Sequence, residues 1–148
     1  MAKVRTILLA EDNPNDVELT IEAMEENNLA NHVFSVRDGV EALEYLRCEG
    51  KYKNRKTGIP VMVLLDIKMP RMDGIELLRN IRGDSKLKKI PVVILTSSLE
   101  EQDIITSYDL GVNAYVVKPV DFKQFTNAVK LIGSFWAVLN ELPPERSQ

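Results

Sequence analysis

Five short apolar runs alternate with five stretches of helical periodicity, and this alternation constrains the fold more than any other feature of the chain. The runs cover residues 6–10, 32–36, 61–65, 91–95 and 113–117, and each is short, bounded by turn-formers and rich in branched or aromatic side chains. Runs of that kind are strands, several of them buried on both faces. Between them lie cap and turn signals, each followed by helical spacing: Asn13-Pro14, Asp38-Gly39, Asp73-Gly74, Ser98 with Glu101, and Asp121 with Gln124. Strict βα alternation predicts a doubly wound α/β fold: a five-stranded parallel sheet with right-handed crossovers and helices on both faces. A long C-terminal helix, running to about Leu142, closes the pattern.

With 148 residues and neither a repeat nor a low-complexity linker, the chain is expected to form a single domain over 1–148. A net charge of −3 gives no general attraction to nucleic acid. No apolar run approaches the roughly 18 residues of a membrane span, and residues 1–5 lead into a strand rather than a signal-peptide core. The expected location is the cytoplasm. Cys48 is the only cysteine, so an internal disulfide or a cysteine-rich metal site is excluded, and the lone His32 reads as structural.

Right-handed crossovers bring the carboxyl ends of the parallel strands to one edge, where ligands bind in open α/β sheets. That edge collects Glu11 and Asp12 after the first strand, Asp66 after the third, Thr96 after the fourth and Lys118 after the fifth. Taken singly, each has a plain reading: an acid or hydroxyl capping the next helix, or a surface lysine. Together, three carboxylates repel unless a cation neutralises them. All-oxygen donors suit a hard ion such as Mg²⁺. The lysine and the hydroxyl then serve to receive an anion such as phosphate beside the metal. The chemistry this set suits is attack by Asp66 on phosphorus, giving an acyl phosphate on the protein itself.

At this point the residues resemble the receiver domains of two-component response regulators. The motifs are Glu11-Asp12, Asp66 within Leu-Leu-Asp-Ile-Lys-Met-Pro-Arg-Met-Asp-Gly, Thr96 within Val-Val-Ile-Leu-Thr-Ser, and Lys118-Pro119. The resemblance implies a flavodoxin-like strand order of 2-1-3-4-5 and phosphoryl transfer to Asp66 from a phosphohistidine on a sensor histidine kinase. It also implies Mg²⁺ held by Asp12, Asp66 and the backbone carbonyl of Lys68, with Glu11 assisting through water, while Thr96 and Lys118 hold the phosphoryl group. It further implies a cis bond before Pro119 and a switch at Tyr115, whose rotamer follows the hydroxyl residue. The segments around Glu11 and Lys118 are similar to the small stand-alone regulators that partner bacterial phytochrome kinases. Lys68 stands where family side chains border the hydrolytic water, so slow self-dephosphorylation is expected.

The last helix carries a second apolar stripe, Leu131, Phe135, Val138 and Leu142, beside the one that faces the sheet. One stripe suffices to cover a sheet, so a homodimer through Phe135, Trp136, Val138 and Leu142 is expected, and output by protein contact. Residues 49–60 form a basic connection without strand or helix signal. On this reading the chain is a phosphoacceptor signalling protein and not an enzyme. The alternative is a receiver-shaped adaptor that does not take phosphate.

Overall fold

A computed structural model describes residues 6–26, 32–56, 58–118 and 121–133. Its elements run β1 (Thr6–Ala10), α1 (Pro14–Glu26), β2 (His32–Val36), α2 (Gly39–Arg47), β3 (Met62–Leu65), α3 (Gly74–Gly83), β4 (Val92–Thr96), α4 (Glu101–Asp109), β5 (Ala114–Val117) and α5 (Phe122–Gly133). The strands are all parallel, in the order β2-β1-β3-β4-β5. Ala10 is level with both Val36 and Leu65, and Thr96 with Val117, so the strands end along one line.

Alternation along each strand divides the core into two layers. Leu8, Ala10, Val63, Leu65, Val92 and Ile94 pack with Leu43, Leu46, Leu77, Leu78 and Ile81 of α2 and α3. Ile7, Leu9, Met62, Leu64, Val93 and Leu95 point the other way, onto Met24 of α1 and Phe125, Val129 and Ile132 of α5. Each fully buried Leu or Ile contributes about 1.5–3 kcal/mol, so truncating one of these side chains threatens the sheet directly.

The caps behave as side-chain chemistry dictates. Asn13 Oδ1 accepts from the amides of Asn15 and Asp16, and Asp38, Asp73 and Asp121 each accept from the amide three residues on. The cap expected at Ser98 does not form. α4 opens at Glu101 after Glu100, while the Ser98 hydroxyl accepts from Glu100 N and donates to Asp103. α4 also leaves Ile105 and Tyr108 about half exposed, with Ser107 on its buried side.

The connection 49–60, expected to lack regular structure, contains a 3₁₀ turn at Gly50–Tyr52 and is tied inward. Phe34 stacks on Tyr45 at 4.7 Å, Tyr52 meets both rings edge-on at 5.6 and 5.2 Å, and Arg55 lies 4.2 Å from the Tyr45 ring. Tyr52 donates to Glu41, which also pairs with Lys51. On α5, Phe125, Val129 and Ile132 are buried, whereas Leu131 is 71% exposed. The expected interface residues Phe135, Trp136, Val138 and Leu142, and the bond before Pro119, lie outside the described residues.

Candidate functional site

The line of strand ends carries the predicted residues to one place. Asp66 follows β3, and its amide donates to Ala10 O; the Glu11 amide donates to Val36 O, and the Lys118 amide to Thr96 O. These bonds extend the sheet ladder one residue past each strand, which fixes where the functional side chains begin. Gly74, opening α3, has no room for a Cβ: one would strike the Asp66 carbonyl.

Both oxygens of Asp66 are engaged. Oδ1 accepts from the Thr96 hydroxyl at 2.6 Å and from the Ile67 amide at 2.6 Å, and Oδ2 accepts from Lys118 Nζ at 2.8 Å. The residue is only 8% exposed. Burial pushes its carboxyl up, but the bonds from Lys118 and Thr96, the lysine charge and the Ile67 amide outweigh it and hold the group below its ordinary range. Asp66 is therefore a buried, ionised carboxylate.

Lys118 spends all three of its protons on acids: Glu11 at 2.6 Å, Asp16 at 2.7 Å and Asp66 at 2.8 Å. Burial works against its charge, yet the bonds to Asp16, Asp66 and Glu11 raise its pKa. One ammonium cannot balance three carboxylates, and Glu11 registers the deficit. Burial drives the Glu11 carboxyl up to about 7, the Asp66 charge adds to the rise, and the Lys118 bond only partly opposes it. An all-oxygen cluster short of positive charge fits a hard divalent ion. That fit is one of donor chemistry and charge: in the geometry of this structure no group of three or more His, Cys, Asp or Glu side chains among the described residues is disposed to hold a metal, and Lys118 Nζ lies between Glu11, Asp16 and Asp66. Asp12 is exposed beside them, at the start of the loop into α1, and the Lys68 amide lies 3.4 Å from Asp66 Oδ1.

Asp16 is absent from the set read off the sequence. A first-turn acid ordinarily serves the helix dipole, but α1 starts at the same edge as Glu11, and that shared edge was the available signal. Tyr115 lies on β5, and its hydroxyl donates to Ser98 O at 3.0 Å, in the loop that follows Thr96. The amide of Ser98 in turn donates to Thr96 Oγ1 at 3.3 Å. Tyr115 thus touches the loop leading from the hydroxyl residue.

The chain matches the response regulator receiver domain over residues 7–130. It belongs to the response regulator receiver family. Among relatives, it is 38% identical to response regulator Rcp1 of Synechocystis over 139 residues, which is 94% of this chain and 93% of Rcp1. The structure of the phosphorylated cyanobacterial phytochrome response regulator RcpA superposes with a TM-score of 0.89 at 43% identity, covering 95% of this chain and 99% of RcpA. The bacteriophytochrome response regulator AtBRR shares 56% identity at a TM-score of 0.75, covering 95% of this chain and all of AtBRR. As a receiver, the domain is a component of phosphorelay signalling. No helix among the described residues is long and apolar enough to cross a membrane.

Proposed function

We propose that this receiver accepts a phosphoryl group on Asp66 from a phosphohistidine of a sensor histidine kinase, of the phytochrome type. The observation that carries the reading is the buried Asp66, with the Thr96 hydroxyl on one oxygen and Lys118 Nζ on the other. In the transfer, one Asp66 oxygen forms the O–P bond as the P–N bond breaks, and its electron pair passes to the kinase imidazole. Thr96 and Lys118 then turn from the carboxylate to the phosphoryl oxygens, where charge has accumulated. Glu11, Asp12, Asp66 and the Lys68 carbonyl would hold a divalent ion, Mg²⁺ in this reading, which would supply positive charge against the transferred phosphoryl group. Two relatives favour this reading: RcpA in its phosphorylated form and Rcp1 in a Mn²⁺-bound form. The phytochrome assignment rests on RcpA and AtBRR.

Incubation with acetyl phosphate and Mg²⁺ should add one phosphoryl group by intact mass, and Asp66→Asn should add none. An unmodified wild-type protein would leave the adaptor reading.

In this reading output runs by protein contact, in keeping with a net charge of −3 that gives no general attraction to nucleic acid. Through its bond to Ser98 O, Tyr115 is positioned to report movement of the Thr96 loop. The exposed Leu131 opens the second stripe of the last helix and supports a homodimer through Phe135, Trp136, Val138 and Leu142. Sedimentation at tens of micromolar is expected to give a dimer, with or without phosphate analogue; a monomer in both states rejects it.

A further inference from the structure

The loop from Asp66 to α3 contains a residue in an unfavourable conformation. Arg71 has φ +64°, a left-handed backbone that a side chain bearing a Cβ seldom adopts. Its guanidinium reaches across to the β2–α2 turn and grips Asp38 with both arms, Nε to Oδ2 at 2.9 Å and Nη2 to Oδ1 at 3.2 Å. Asp38 is itself immobilised: it is buried, and its Oδ1 caps α2 through the Glu41 amide at 2.8 Å. One residue on, Met72 O accepts from the Gly39 amide at 3.0 Å, and a Cβ on Gly39 would fall 2.6 Å from that oxygen. At the other end of the loop, the Gly74 amide donates to Ile67 O at 2.7 Å. Lys68 lies between these two anchors. Nothing in the phosphoryl chemistry itself calls for Arg71 or Asp38.

We propose that Arg71 is a positioning residue: its clamp on Asp38 holds the β3–α3 loop so that the Lys68 carbonyl faces the divalent-ion position beside Asp66. The inference rests on the reading that this carbonyl is a metal ligand. A planar fork matched to a carboxylate fixes direction as well as distance, which a lysine in the same place does not. The strained φ is retained because the fork over-determines it.

Charge and positioning predict opposite signs for the decisive variant. Arg71 is a cation near a cation site, so deleting it tightens metal binding if only its charge matters. If it positions the loop, deleting it weakens binding. The test titrates MnCl₂ into unphosphorylated full-length protein and follows free Mn²⁺ by electron paramagnetic resonance, with thermal unfolding in EDTA alongside.

Arg71→Gln and Asp38→Ser, which keeps a cap for α2, are each expected to raise the Mn²⁺ dissociation constant about three- to tenfold. That is short of the roughly 10–100-fold cost of losing a group bonded directly to a metal ligand. The double variant is expected to bind no more weakly than the weaker single one. Arg71→Gly, which accepts the positive φ without a Cβ, carries the same expectation should the glutamine variant fold poorly. Unchanged or tighter binding in the Arg71 variants overturns the clamp while leaving the metal site standing. A wild-type protein that takes up no Mn²⁺ overturns the metal reading, and the clamp with it.

Discussion

Two partly buried cations tie loops together at opposite edges of this sheet, and they are satisfied in opposite ways. At the carboxyl edge Lys118 meets three carboxylates. At the amino edge Arg82, from the end of α3, meets among the described residues only neutral oxygens: Gly111 O, Lys88 O, Ile90 O and Asn113 Oδ1, all at 2.8–3.0 Å. Burial lowers the pKa of Arg82, with no carboxylate to counter it, whereas the acids around Lys118 raise the lysine's. Neutral acceptors make Arg82 a fixed brace whose surroundings have no charge to change. Lys118 sits where negative charge is in excess, so under the proposed function the arrival of a metal or a phosphoryl group would rearrange its bonds. The same fold places structural and reactive electrostatics at its two rims.

Exchanging the perturbation between these cations is the sharpest way to break the comparison. Lys118→Ala is expected to slow phosphorylation by acetyl phosphate at least about a hundredfold, the scale of losing a preorganised donor to a developing anion. Arg82→Ala is expected to leave that rate unchanged at room temperature but to cost about 2 kcal/mol by leaving carbonyls without a donor. For a domain of this size that lowers Tm by about 4–8 °C. A phosphorylation defect in Arg82→Ala that matched the lysine variant's would dissolve the distinction between the two rims.

A smaller effect sharpens the distinction through pH. Glu11 has a folded pKa of about 7 against an ordinary 4.5, so the folded protein binds more protons between those values. The associated stability is fully present below pH 4.5 and is lost as pH rises through about 7. Asp66, held below its ordinary value, loses its own contribution only at lower pH, outside that window. Urea unfolding between pH 5 and 8 should therefore show stability falling with pH, and Glu11→Gln should flatten the slope. An unaltered slope in that variant places the excess charge elsewhere.

Much of this was legible in the sequence because buried parallel strands are written as short, nearly uninterrupted apolar runs. β1, β3 and β4 stand out in this way, and the polar residues that end them mark the site. What the sequence concealed depends on distances across the chain. Asp16 reaches Lys118, 102 residues away, and Arg71 reaches Asp38, 33 residues away. Neither partner carries a local signal, since a first-turn aspartate and a loop arginine have ordinary solvated roles. Ser98 and Glu101 have the spacing of a capping box, yet α4 starts after Glu100 because the Ser98 hydroxyl is committed to Asp103 and Glu100. Its half-exposed Ile105 and Tyr108 likewise follow from how α4 seats beside α3, which periodicity alone does not encode.

The aromatic trio of Phe34, Tyr45 and Tyr52 bears on how the protein meets proteases. Lys51, Lys53, Arg55 and Lys56 make the α2–β3 connection, by composition alone, the richest tryptic target in the chain. A protease must bind its substrate as an extended strand, and this segment is coiled through Gly50–Tyr52. Arg55 is further committed to Tyr45 O and Gly58 O. Tryptic nicking of this segment is therefore expected to track the local opening that frees Tyr52 from the Phe34 and Tyr45 rings rather than the abundance of its basic residues.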